Sequence, residues 1–113
     1  MPPESCQSMI LSLAREYRCE VYFVAATDHM AGFFIYPNKI YIVNDQPTRM
    51  LMTMFHELGH LNCWRNNLWT EYHMDASNEN ESIERYVSSW ANIEWDRRNL
   101  TRRFGRFNDA WVN

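Results

Sequence analysis

Two histidines four residues apart, with a glutamate directly after the first, are the residues of this chain whose types and spacing are best suited to chemistry. They are His56, Glu57 and His60, in the pattern His-Glu-x-x-His. Residues four apart lie on one face of an α-helix, so both imidazoles can bind a single Zn²⁺ ion. Glu57 would then reach a water molecule beside the metal and accept its proton as the water attacks a carbonyl carbon. The pattern predicts a hydrolytic zinc site with His56 and His60 as ligands and Glu57 as general base.

The residues around this motif favour a metal site over the alternative, in which two histidines merely form hydrogen bonds inside a core. Residues 40–43 are β-branched and aromatic, which predicts a strand. Residues 44–47 supply capping side chains and a proline suited to a first helical turn. From Thr48 onward, apolar residues at three- and four-residue spacings predict a helix, namely Leu51, Met54, Phe55, Leu58 and Leu61.

Gly59 interrupts this predicted helix with a residue that lowers helix stability by about 1 kcal/mol relative to alanine. A residue without a side chain allows another part of the molecule to come close. We therefore interpret Gly59 as leaving space for a neighbouring strand or for a substrate near the metal.

A third metal ligand must lie farther along the chain. In a metzincin, a glycine would occupy position 63 and a histidine position 66. This chain has Cys63 and Asn66 at these positions, which excludes the metzincin class. Residues 77–82 carry capping and acidic side chains typical of a helix start, and an apolar face follows them. At about 100° per residue, Glu84 lies on the border of that face, whereas Glu81 points farther toward solvent. Glu84 is the predicted third ligand and Glu81 the alternative. The competing interpretation of each is an ordinary solvent-exposed glutamate of a helix.

The strand, the His-Glu-Leu-Gly-His helix and the later glutamate-bearing helix together resemble the ImmA/IrrE metallopeptidase family. The resemblance covers residues 35–95 and is sharp only at the zinc helix. Members carry a Glu-x-Glu-Ala-x-x-Phe-Ala pattern on the later helix, and residues 84–91 are the corresponding stretch. The family's second glutamate falls on Tyr86 in this register. Either Glu84 takes over as ligand, or the register shifts toward Glu81, or Tyr86 itself ligates or replaces a ligand. In the last case, peptidase activity would be weakened or absent.

The resemblance implies a peptidase with one zinc ion that cleaves a specific regulatory protein, often a transcriptional repressor. A protein substrate is therefore the expected partner. The alternative is a zinc-binding interaction module that sequesters a regulator without cutting it, or a phage- or toxin-type effector. Glu57 favours the enzyme, because a purely structural metal site has no need of a base, whereas Tyr86 favours the alternative.

The 113 residues, 46% of them hydrophobic, suffice for one modest core, so residues 1–113 are predicted to form a single small α+β domain of zincin-like fold. The expected order is a helix at residues 5–18, three strands, the metal helix, a loop and a further helix. We place the strands at residues 20–26, 31–36 and 40–43, with a turn at residues 27–30. In many zincins the strand nearest the metal helix binds substrate as an added antiparallel strand, which we expect within residues 35–43.

The connection between the two ligand-bearing helices, residues 66–78, should pass near the mouth of the site. Its Tyr72 or His73 would be placed to stabilise an oxyanion, or else packs locally. Cys63 follows the second histidine closely enough to approach the metal, but packing in the core is the favoured interpretation.

Composition and charge narrow the remaining classes of function. The net charge of −3 argues against a dedicated DNA-binding protein. Arginines and aromatic residues are frequent in the C-terminal segment, and we interpret this segment as docking its aromatic rings on the core. An apolar run of about 18 residues, as a membrane span needs, is absent, and the N-terminus lacks the pattern of a secretory signal. Three scattered cysteines suit free thiols in the cytoplasm.

Overall fold

The computed structural model describes residues 5–26, 30–66 and 79–112, with side chains described from residue 83 onward in the last range. The predicted α+β class is confirmed. The strands are β1 (Glu20–Val24), β2 (Gly32–Ile35) and β3 (Lys39–Val43). The helices of this part of the chain are α1 (Cys6–Glu16), α2 (Pro47–Arg65), α3 (Glu79–Arg97) and α4 (Leu100–Phe104). None of these helices is long and apolar enough to cross a membrane.

The three strands form one mixed sheet in which β3 lies in the middle. β1 pairs with β3 in parallel, with Val21 opposite Ile40, and β2 pairs with β3 in antiparallel orientation, with Phe34 opposite Ile40. A strand that is hydrogen-bonded along both edges cannot accept a further one. The prediction that residues 35–43 bind an added strand is therefore wrong for β3. Within the described sheet, only β1 and β2 have a free edge.

The central strand alternates between two faces because successive side chains of a strand point in opposite directions. Ile40 and Ile42 are fully buried against the helices. Tyr41 lies on the other face, where its ring stacks on Tyr22 at 5.0 Å and on Phe33 at 4.7 Å between ring centroids. The inner face of the sheet thus forms one wall of the core, and α2 packs against it.

Helix α2 crosses the middle of the molecule and contacts α1, α3, β2 and β3. It begins at Pro47, whose missing N–H is of no consequence in a first turn. Leu51, Met54, Phe55, Leu58 and Leu61 are each 0% exposed, so the predicted apolar stripe forms the centre of the core. The same helix buries two ionisable side chains, those of His56 and Glu57. Such burial is costly unless polar partners compensate it.

Gly59 is a point of close contact between α2 and α3. A Cβ atom at this position would lie 2.8 Å from Val87 Cγ1 and 3.0 Å from the Val87 carbonyl oxygen. The space beside Gly59 is therefore filled by α3, and our interpretation of it as room for a strand or a substrate is wrong. The glycine instead allows the helix carrying Glu84 to approach the helix carrying both histidines.

The C-terminal segment returns along the core after α4, as its aromatic residues predicted. Trp95 donates a hydrogen bond from Nε1 to the Gly105 carbonyl oxygen at 3.0 Å. Phe107 and Val112 are buried, and the Arg49 guanidinium lies 4.6 Å from the centre of the Trp111 ring. Residues 105–112 are thereby held against the body of the protein.

Candidate metal centre

Three side chains from two helices converge at one point beside the pocket that α2 shares with β2. Glu84 Oε2 lies 3.1 Å from His56 Nε2, and Glu84 Oε1 lies 3.0 Å from His60 Nε2. His56 and His60 are one turn apart on α2, and Glu84 reaches them from α3 across the contact at Gly59. Each of the three residues offers a ligand atom, and these atoms lie within 4.8 Å of one another.

The donor set and spacing of this group fit a zinc ion. Ligand atoms about 2.0–2.2 Å from zinc, arranged tetrahedrally, lie roughly 3.3–3.6 Å apart. The distances of 3.0 and 3.1 Å involve two different oxygens of Glu84, and the ligand atoms, one per residue, lie within 4.8 Å of one another. Modest side-chain movements would bring one atom of each residue to the zinc spacing. Two imidazoles and one glutamate are also a ligand set of catalytic zinc sites, in which the fourth position stays open for water or substrate. His56, His60 and Glu84 can thus hold the metal that the sequence implies.

The pKa values of His56 and Glu84 are both shifted strongly by their surroundings. Burial alone would lower the pKa of His56, but hydrogen bonds with Asp109 and Glu84 raise it to about 9. Burial likewise acts to raise the pKa of Glu84, yet hydrogen bonds from both imidazoles lower it to about 2. Without a metal, therefore, a protonated imidazole and an ionised carboxylate compensate each other's burial.

Glu57 has the environment that a general base at neutral pH requires. Its side chain is only 3% exposed. Burial disfavours the carboxylate and raises the pKa of Glu57 to about 7, against the opposing influence of His60 and His56. A base whose pKa is close to the working pH both accepts and returns a proton efficiently. One oxygen of Glu57 lies 3.5 Å from where a Cβ atom of Gly32 would stand, so β2 runs close past this carboxyl group.

A pocket of about 330 Å³ opens at this group. One side of it is polar and comes from α2, and the other is apolar and comes from the start of β2. Its lining consists of His56, Glu57 and His60 with Met30, Gly32, Phe33 and Phe34. The candidate base and both candidate histidine ligands therefore border a space that a substrate could enter.

Asp109, which no sequence pattern singles out, also belongs to the site. Its Oδ2 atom lies 2.8 Å from His56 Nδ1 and accepts a hydrogen bond from Ser88 Oγ at 2.7 Å. These two hydrogen bonds outweigh burial and lower the pKa of Asp109. The sequence offers no signal for this contact, because residues 56 and 109 are joined only by the tertiary fold.

Of the other residues weighed as ligands, Cys63 is buried and is not part of the group. The Tyr86 hydroxyl oxygen accepts a hydrogen bond from Asn62 Nδ2 at 2.6 Å. The side chain of Glu81 lies outside the described residues, as do Tyr72 and His73. Among described side chains, His56, His60 and Glu84 form the one group suited to a metal ion.

The resemblance to ImmA/IrrE peptidases rests on the short motifs quoted above. No protein-family model, no curated protein sequence and no solved structure matches this chain.

Proposed function

We propose that the protein is a zinc-dependent metallopeptidase of zincin-like fold that hydrolyses a peptide bond in a specific regulatory protein, such as a repressor. The observation that carries this proposal is the buried Glu57 carboxyl group beside the His56, His60 and Glu84 group, at the wall of an open pocket. A metal site that served structure alone would have no use for a base with a pKa of about 7 at its side.

The proposed mechanism assigns one task to each side chain. His56, His60 and Glu84 would hold a zinc ion, which when bound would polarise the substrate carbonyl and lower the pKa of water. Glu57 takes a proton from the water as its oxygen bonds to the carbonyl carbon. Glu57 then gives this proton to the departing nitrogen as the carbon–nitrogen bond breaks, so the base is regenerated in each cycle.

The free edge of β2 is the proposed binding site for the substrate backbone. This strand contacts α2, and Gly32, Phe33 and Phe34 line the same pocket as Glu57. An extended peptide added to a sheet edge gains main-chain hydrogen bonds, while its alternate side chains enter neighbouring pockets. The expected position of substrate binding thus moves from residues 35–43 to β2. The apolar side chains of Met30 and Phe34 favour a large apolar residue near the cleaved bond.

Glu57→Gln tests the proposal, because the amide keeps the shape of the side chain but cannot act as a base. The zinc-loaded protein would be incubated with a proteome-derived peptide library, and new peptide termini would be identified by mass spectrometry. We expect wild type to cut and Glu57→Gln to lose roughly 10²- to 10⁴-fold in rate while it still binds zinc. Glu20→Gln, which alters an exposed glutamate of β1, is the matched control and should keep the wild-type rate.

Cleavage by Glu57→Gln at the wild-type rate would contradict the proposed role of Glu57. A wild-type protein that binds zinc but cuts neither the library nor any captured binding partner would contradict the peptidase and support the interaction module instead.

A further inference from the structure

We propose that Asp109 is a positioning residue that fixes the ring of His56, so that residues 105–112 complete the metal centre. This inference rests on the proposed metal site but not on peptide cleavage. It concerns a residue 53 positions along the chain from the histidine on which it acts.

The hydrogen-bonding geometry fixes which nitrogen of His56 is available to a metal. Nδ1 lies 2.8 Å from Asp109 Oδ2, a carboxylate oxygen, and therefore carries the proton of this hydrogen bond. Nε2, which faces Glu84, is therefore the nitrogen that would give up its proton and offer its lone pair when a metal binds. A carboxylate on the second nitrogen of a metal-binding histidine fixes the tautomer and the ring orientation and makes the histidine a better ligand.

Asp109 is itself held from a second direction. Ser88, on α3, donates a hydrogen bond to the same oxygen at 2.7 Å. Ser88 lies one helical turn beyond Glu84, so α3 carries both a candidate ligand and a support for the opposite side of the His56 ring. His56, Asp109 and Ser88 thus form a continuous hydrogen-bonded chain across the contact between α2 and α3.

Buried residues on both sides of Asp109 hold its backbone in place. Phe107 precedes it in the core, and Val112 follows it at 1% exposure. The Val112 N–H also donates to the Asp109 carbonyl oxygen at 3.0 Å, which forms a tight turn. Apolar burial of residues 105–112 therefore sets the position of the carboxylate that orients His56.

The two histidines differ in the polar groups that contact their imidazole rings. In the described part of the chain, Asp109 contacts Nδ1 of His56, whereas His60 contacts Glu84 through Nε2. The His60 side chain is also 23% exposed, against 3% for that of His56. His56 is the ligand whose orientation depends on the fold as a whole.

The test is the zinc dissociation constant of Asp109→Asn, measured by competition with a chromogenic chelator. Asparagine keeps the shape of aspartate but removes its charge, and we expect zinc affinity to fall roughly 10- to 100-fold. Ser88→Ala, which leaves the contact between Asp109 and His56 in place, should give a smaller loss in the same direction. Asp96→Asn is the matched control, because Asp96 is exposed and accepts a hydrogen bond from Thr101 away from the site. Its zinc affinity should stay within about twofold of wild type.

Two further measurements separate positioning from a merely structural role. Urea unfolding of the metal-free variants reports on the fold, and the visible absorption spectrum of the Co²⁺-loaded protein reports on ligand geometry. We expect Asp109→Asn to change the Co²⁺ spectrum while the protein remains folded, whereas Asp96→Asn leaves the spectrum unchanged. If Asp109→Asn does not fold, the inference is tested by Ser88→Ala alone. A weakened zinc affinity and a changed Co²⁺ spectrum of this variant would support the positioning role, and wild-type values would overturn it.

Zinc affinity of Asp109→Asn within twofold of wild type, or an unchanged Co²⁺ spectrum, would overturn the inference. Failure of the proposed peptidase is distinguishable, because a wild type that binds zinc but cuts nothing would leave the role of Asp109 intact. A wild type without zinc affinity would overturn both.

Discussion

Four ionisable side chains, those of His56, Glu57, Glu84 and Asp109, lie close together, and those of His56 and Glu57 are almost fully buried. Mutual hydrogen bonds stabilise the charged forms of His56, Glu84 and Asp109, whereas Glu57 is dominated by its burial. Burial without compensating hydrogen bonds makes the ionised form of a carboxyl group costly. Ionised Glu57 therefore lowers the stability of the fold, as expected of a carboxylate that serves a function rather than packing.

The cost of Glu57 should be visible in the pH dependence of stability of the metal-free protein. The pKa of Glu57 is about 7 in the fold, above its usual value of 4.5, so ionisation is harder in the folded than in the unfolded chain. Wild type should lose stability relative to Glu57→Gln as the pH rises from 4.5 to 7. Above that range Glu57→Gln should be the more stable by up to about 3 kcal/mol, and below it the difference should level off.

Urea unfolding in the presence of a chelator, at several pH values between 4 and 8.5, measures this difference. Glu20→Gln, at an exposed position, is the control for general effects of losing a carboxylate. A constant difference between wild type and Glu57→Gln across the range would contradict the raised pKa.

The sequence could indicate most of the candidate site because helix geometry is local. The spacing of His56, Glu57 and His60 places them on one turn, and the apolar periodicity of the later helix places Glu84 at the edge of a buried face. Asp109 could not be found in this way, since its contact with His56 depends on the path of the chain after α4. Chain path follows from the packing of many residues and has no short sequence pattern.

At the level of elements, the crossing of α2 and α3 determines whether the ligands meet. Gly59 permits this crossing, because Val87 of α3 occupies the space where a side chain would stand. The order of the strands is likewise a matter of tertiary packing. The short connection between β2 and β3 predicts an antiparallel pair, but nothing local indicates that β1 joins the other edge of β3 in parallel.

Gly59→Ala tests the role of this crossing. Alanine favours a helix by about 1 kcal/mol, yet its Cβ would lie 3.0 Å from the backbone carbonyl oxygen of Val87, which a rotamer change cannot relieve. We expect the free energy of unfolding to fall by about 1–3 kcal/mol, and zinc affinity to weaken because α3 is pushed away. Urea unfolding and chelator competition measure the two effects.

Asn92→Ala, at an exposed position of α3, is the matched control and should change neither quantity appreciably. A Gly59→Ala protein that is as stable as wild type and binds zinc equally well would show that the two helices need not approach so closely.

On the scale of the whole molecule, the candidate centre joins three parts of the chain that are far apart in sequence. Helix α2 supplies two histidines and the base, α3 supplies Glu84 and Ser88, and residues 105–112 supply Asp109. The sheet contributes β2, which borders the pocket. The α+β class followed from local patterns, whereas this convergence is a property of the complete fold.

The zinc content of the purified protein, by mass spectrometry of the metal, tests the central claim most directly. Wild type, Glu84→Ala and Glu81→Ala would be compared after equilibration with equimolar zinc and removal of unbound metal. We predict one zinc ion per chain for wild type and Glu81→Ala, and a marked loss for Glu84→Ala. A wild type that retains no zinc, or a Glu84→Ala protein that retains as much zinc as wild type, would contradict the proposed centre.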